Sequence, residues 1–126
     1  MNIIKILVYL MVISLASAHS IAYAENNAEV KAAIEQTVTK LEEAVAALDK
    51  GADPKAIADI VIAAKQAQKS IATSDPKVSI KKSQGSNKLG QARTALNDGD
   101  VKKGGDLVKE ALADYKEVKE KYNATH

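Results

Sequence analysis

The 126-residue chain has 18 Lys and Arg against 16 Asp and Glu, a formal charge of +2, and no Cys, Trp or Phe. That balance is too close to neutral to draw nucleic acid to the molecule as a whole, and the missing cysteine excludes a disulfide framework and thiolate metal sites. With only two histidines, His19 and His126, the usual Ser–His and Cys–His pairs of nucleophilic catalysis have almost nothing to draw on, so a non-enzymatic protein is expected.

The first residues read as an export signal. Lys5 gives a charged start, Ile6 to Leu15 an apolar run, and Ala22-Tyr23-Ala24 an A-x-A cleavage motif before Glu25. The run is shorter than the roughly 20 residues of a transmembrane helix. Cleavage is expected after Ala24, with Ala16-Ser17-Ala18 as the other candidate, which implies a periplasmic or secreted protein without a transmembrane anchor. Residues 1–24 form this signal peptide and residues 25–126 a single domain. The domain loses Lys5 and no acid, leaving 17 cations against 16 anions, a net charge near +1. It has no Met, its only tyrosines are Tyr115 and Tyr122, and its only histidine is His126, so its core must be built from Ala, Val, Ile and Leu.

Helix punctuation then divides the domain. Asn26 with Glu29 resembles a capping box. In Asp49-Lys50-Gly51-Ala52-Asp53-Pro54, glycine suits the left-handed residue that ends a helix, aspartate the cap of the next and proline its first turn. Asp75-Pro76 repeats the cap and first turn, and Asn97-Asp98-Gly99-Asp100 repeats the stop and cap. These marks predict helices over residues 27–50, 54–72, 76–97 and 101–123.

Apolar periodicity gives each helix one face to bury. The first helix shows Val30, Ile34, Thr37, Leu41, Ala44 and Leu48, widened by Val38 and Val45. The second shows Ile57, Ile60, Ala64, Ala67 and Ile71 with Val61, and leaves Ile62 pointing outward. The third shows Val78, Lys82, Gly85, Leu89, Ala92 and Leu96. The fourth shows Val101, Gly104, Val108, Ala111, Tyr115, Val118 and Tyr122. In the third helix a lysine and a glycine stand where apolar residues belong. Either Gly85 makes room for the ring of Tyr115 or Tyr122, or residues 77–86 fray, because glycine costs a helix about 1 kcal/mol.

An internal repeat supports the same division. Shifted by 48, Lys40, Leu41, Ala44, Ala47, Leu48 and Gly51 fall on Lys88, Leu89, Ala92, Ala95, Leu96 and Gly99. After a one-residue deletion, Asp53, Val61 and Ala64 fall on Asp100, Val108 and Ala111. The expected fold is all-α: an up-down-up-down four-helix bundle of two similar helical hairpins, about 27–72 and 76–123. Its core is thin and rich in alanine, which leaves self-association open as a source of stability.

With Leu41-Glu42-Glu43-Ala44-Val45-Ala46, Ala63-Ala64-Lys65-Gln66-Ala67 and Val108-Lys109-Glu110-Ala111-Leu112, and a glycine turn in each hairpin, the chain resembles the small metal-binding protein family of the bacterial periplasm. The resemblance covers about residues 36–120. It implies a periplasmic four-helix bundle of two hairpins and divalent-metal binding or buffering. That family binds copper and other divalent metals through histidines, which the corresponding helices here lack, so no ligand residue carries over.

The residues themselves offer two candidate sites. Asp106, Glu110, Asp114 and Glu117 lie within about a quarter of the fourth helix's circumference. Oxygen donors suit a hard divalent cation, the one cofactor the chain offers; the alternative is a solvated acidic face, interrupted by Lys103 and Lys121. The third helix carries Lys77, Lys81, Lys82, Lys88 and Arg93 and no acid, while residues 25–50 carry six acids against three lysines. That basic face would dock an anionic partner such as a lipid head group, a polyanion or an acidic protein; the alternative is that the helices balance one another's charge. No aromatic interleaves these lysines, so nucleic acid is not an expected partner. Asn123-Ala124-Thr125 matches a glycosylation triplet of a kind that chance often supplies.

Overall fold

A computed structural model describes residues 27–126. The expected signal peptide with its two candidate cleavage sites, and the expected Asn26 cap, lie outside these residues. Among them are four helices and no strand: α1 (Asn27–Asp49), α2 (Pro54–Gln68), α3 (Pro76–Asn97) and α4 (Val101–Thr125).

The helix starts follow directly from local chemistry. Asp53 Oδ1 accepts from the Lys55 amide at 3.1 Å, Asp75 Oδ1 from the Lys77 amide at 2.9 Å, and Asp100 Oδ1 from the Lys103 amide at 3.0 Å. Each cap satisfies one of the amides that a helix start leaves without an internal partner. Pro54 and Pro76 occupy first-turn positions that need no amide donor. Gly51 and Gly99 have φ of +71° and +84°, the left-handed conformation that closes α1 and α3.

One boundary departs from the sequence expectation. α2 ends at Gln68 rather than at 72, because the amides of Lys69, Ser70 and Ile71 turn to the carbonyls three residues back. Gln68 Nε2 also donates to the Lys65 carbonyl at 3.1 Å. The tightened turn still delivers Ile71 to the core, so the apolar period ran past the helix it predicted.

α1 packs on α2, α2 on α3, α3 on α4 and α4 on α1, which closes a ring of four neighbours. Asn27 meets Tyr122 and Leu48 meets Gly105, so α1 and α4 run antiparallel. Lys88 meets Asp114 and Leu96 meets Gly104, so α3 and α4 do too. This is the four-helix bundle expected of two hairpins.

The core follows the predicted stripes: Ile34, Leu41, Ile57, Val61, Val78, Leu89, Leu96, Val108, Tyr115, Val118 and Tyr122 are all buried. The repeat is kept at depth, with Leu41 and Leu89, Ala44 and Ala92, Val61 and Val108, and Ala64 and Ala111 all excluded from solvent. Val101 is a correction. It begins α4 and is 39% exposed; the first turn packs on α3 through Gly104, against Leu96, instead. Ile62 is half-buried rather than outward, and Ile80, which the stripes passed over, is the most exposed large apolar side chain at 58%.

Residues 77–86 are helical, and Tyr115 fills the space at Gly85. A Cβ there would come within 2.5 Å of the Tyr115 ring. The hydroxyl of Tyr115 lies 3.2 Å from both Gln68 Oε1 and the Lys82 carbonyl, so its single proton serves one of two acceptors on α2 and α3. Burial, with the Asp114 carboxylate adding to it, pushes the Tyr115 hydroxyl well above the ordinary tyrosine value.

Candidate functional site

α3 is an unusual helix chemically. Its outward positions carry Ser83, Ser86, Asn87, Gln91, Thr94 and Asn97, residues of middling helix propensity, where α1 and α4 use Glu and Lys. It also contains Gly85 and Gly90, each costing roughly 1 kcal/mol relative to alanine. Packing accounts for Gly85, where Tyr115 sits. At Gly90 the nearest atom is the Lys65 Nζ of α2, which would lie 3.3 Å from an added Cβ. No hydrophobic side chain fills that position.

The cations predicted on α3 fall on two flanks. At 100° per residue, Lys77, Lys81 and Lys88 lie on one side of the buried stripe and Lys82 and Arg93 on the other, about 20° apart around the axis. The first flank faces α4. Lys88 Nζ lies 2.7 Å from Asp114 Oδ2, and Lys81 Nζ lies 3.8 Å from Asp114 Oδ1 and 3.1 Å from Glu117 Oε2. The Glu117 hydrogen bond is the first cause holding the Lys81 ammonium above its ordinary pKa; partial burial opposes it, and Asp114 adds to it. Asp114 is only 7% exposed, a carboxylate held between two ammonium groups one heptad apart.

These pairs decide much about both candidate sites. Of the four carboxylates expected on α4, Asp114 and Glu117 are bound to lysines of α3, and Asp106 lies 3.8 Å from Lys102 on its own helix. Glu110 is exposed. Among the described residues no group of three or more His, Cys, Asp or Glu could hold a metal ion. Of the five predicted cations on α3, Lys81 and Lys88 serve the α3–α4 contact. Lys77, Lys82 and Arg93 have no carboxylate partner within ion-pair distance among the described residues.

Two cations that the reading of α3 alone overlooked join them. Lys65 and Lys69, at the end of α2, are also without a carboxylate partner among the described residues. Counting across the hairpin boundary would have found them. Residues 60–97 hold seven cations, Lys65, Lys69, Lys77, Lys81, Lys82, Lys88 and Arg93, against Asp75 alone, and Asp75 caps α3.

Along the outer face of α3 runs a shallow groove of about 580 Å³. Lys65, Ser86, Asn87, Gln91, Thr94 and Lys103 line it. Asp98 and Asp100 close its end at the α3–α4 corner. The Asp100 carboxylate caps α4, whereas Lys65 lies over Gly90. The lining mixes amide, hydroxyl, ammonium and carboxylate groups with the apolar surface of Gly90 and Ala95, and holds no aromatic ring.

No helix among the described residues is long and apolar enough to cross a membrane. Fold and site together define a small four-helix bundle with an unbalanced basic α2–α3 half. Compared with protein-family models, curated proteins and solved structures, the chain matches none.

Proposed function

We propose that the chain is a non-catalytic binding module that docks an anionic partner on its α2–α3 half. The carrying observation is the set of five cations between residues 60 and 97, Lys65, Lys69, Lys77, Lys82 and Arg93, that lack carboxylate partners among the described residues. Unpaired surface cations of one sign give a region of positive potential on a molecule of nearly neutral net charge, which attracts and orients a negative partner. Cation binding by the acidic stripe has less support, because three of its four carboxylates lie against lysines. The four-helix architecture agrees with the resemblance to small metal-binding proteins, but the architecture serves many unrelated functions. An exported location rests on the pattern of residues 1–24.

The test is binding to polyglutamate, a polymer whose only charged group is the carboxylate. Lys82→Glu with Arg93→Glu should abolish saturable binding, whereas Lys109→Glu with Lys116→Glu on α4 should leave most of it. Raising the salt concentration should weaken the wild-type interaction. Equal losses in both double variants would show general charge attraction and defeat the proposal.

A further inference from the structure

The charges of the bundle are sorted along its long axis. Gly104 and Gly105 of α4 lie against Leu96 of α3 and Leu48 of α1, so the α1–α2 and α3–α4 turns share one end. Those turns carry Asp49, Asp53, Asp98 and Asp100 against Lys50 alone. The α2–α3 connection lies at the other end, where residues 69–82 carry Lys69, Lys77, Lys81 and Lys82 against Asp75 alone. Adding the adjoining two turns of every helix leaves the first end negative and the second positive. Asp49 and Asp98 are exposed and lack a cation partner among the described residues, as Lys69 and Lys77 lack a carboxylate.

The exposed apolar side chains follow the same axis. Among the described residues two large ones remain exposed, Ile80 and Val101. Side chains on a helix lean toward its N-terminus. Ile80, in the second turn of α3, therefore leans toward the basic end, and Val101, in the first turn of α4, leans toward the acidic end. Each end presents one apolar side chain beside charges of one sign, so the two ends are complementary in charge and alike in apolar character.

Taking the docking reading as given, we infer that the anionic partner is a second copy of this chain, whose acidic end, with Asp49 and Asp98, docks on the basic end, with Lys69 and Lys77. Lysines of one copy meet aspartates of the next, and Ile80 is covered beside Val101. The two surfaces differ and lie at opposite ends, so the contact is head-to-tail and repeats into an open chain rather than closing a dimer. Four helices about 9 Å apart give an end of about 400 Å², half of the roughly 800 Å² per partner in a standard interface, so the association is weak and sensitive to salt.

Sedimentation velocity of the full chain over a concentration series at low salt reads the association. The weight-average sedimentation coefficient should rise with concentration and return to the monomer value as salt is added. Lys69→Glu with Lys77→Glu, and separately Asp49→Lys with Asp98→Lys, should each leave a monomer. An equal mixture of the two double variants should associate again, because one is then acidic and the other basic at both ends. The aspartate variant should keep the wild-type helicity and still bind polyglutamate, and Ile80→Ser should weaken association about fivefold. A wild-type chain that stays monomeric yet binds polyglutamate would overturn the second copy while the docking reading stands, and one that does neither would overturn both. Association that survives either double reversal, or a mixture that stays monomeric, would also overturn the head-to-tail contact.

Discussion

Gly85 and Tyr115 are a packed pair: the glycine of α3 lacks the atom that would collide with the tyrosine ring of α4. The ring reaches through this gap, and its hydroxyl bonds to Gln68 at the end of α2 or to the Lys82 carbonyl. A helix-weakening residue therefore makes possible the burial of one of the domain's two buried tyrosines.

Alanine should act in opposite directions at the two glycines of α3. At Gly85 the added methyl meets a fixed ring, and overpacking outweighs the gain in helix propensity, for a net loss of about 1 to 2 kcal/mol. At Gly90 it meets only the movable end of Lys65, so the propensity gain prevails and stability rises by about 0.5 to 1 kcal/mol. Urea denaturation of the two variants measures both. A gain at Gly85 would contradict the Tyr115 packing there, and a loss at Gly90 would contradict the open position beside Lys65.

The turn glycines should behave differently again. Gly51 and Gly99 have open space around the missing Cβ, so alanine meets no neighbour, yet both stand at positive φ. Gly51→Ala and Gly99→Ala should each cost about 1 to 2 kcal/mol through backbone strain alone, with no change in the unfolding slope. Thermal or urea midpoints read this directly.

How much could be read beforehand follows from where each feature is encoded. Helix starts were legible because Asp53, Asp75 and Asp100 act within three residues of themselves, and the Gly85 gap because it stood out against a regular stripe. The end of α2 was not, since Ile71 keeps the period while its amide leaves the α-helical pattern. The split of the α3 lysines was also hidden. Lys81 and Lys88 are separated from Lys82 and Arg93 by which neighbour stands on each side, and that depends on Asp114 from another helix. Reach across helices likewise hid Lys65, whose position over Gly90 leaves no trace in the pattern of α2.

Asp114→Ala should destabilise the bundle by about 1 to 2 kcal/mol, between the value of an exposed ion pair and that of a buried one. The carboxylate is nearly buried, but its lysine partners are partly in water. Asp106→Ala, whose partner is an exposed lysine on the same helix, should change stability by less than about 0.5 kcal/mol. Comparable losses at both positions would contradict a special role for the α3–α4 clamp.

Alkaline stability should depend on Tyr115. Its pKa is raised in the folded state, so the folded protein holds the phenolic proton more tightly than the unfolded chain does. The stabilisation is complete below the unfolded value of about 10 and is lost as the pH rises above it, at up to about 1.4 kcal/mol per pH unit. Lys81, also raised, loses its contribution in the same direction. Tyr115→Phe should lower stability at neutral pH by about 1 kcal/mol through the lost hydrogen bond, and should flatten the fall above pH 10. Tyrosinate absorbance followed alongside helicity separates titration from unfolding.

The docking claim is tested most directly by residue-resolved NMR of the labelled chain during titration with polyglutamate. The account predicts that amide shift changes concentrate at the end of α2 and along α3, around Lys65, Lys69, Lys82 and Arg93, and fade as salt is added. Changes centred on the outer faces of α1 or α4, or spread evenly over the surface, would contradict it.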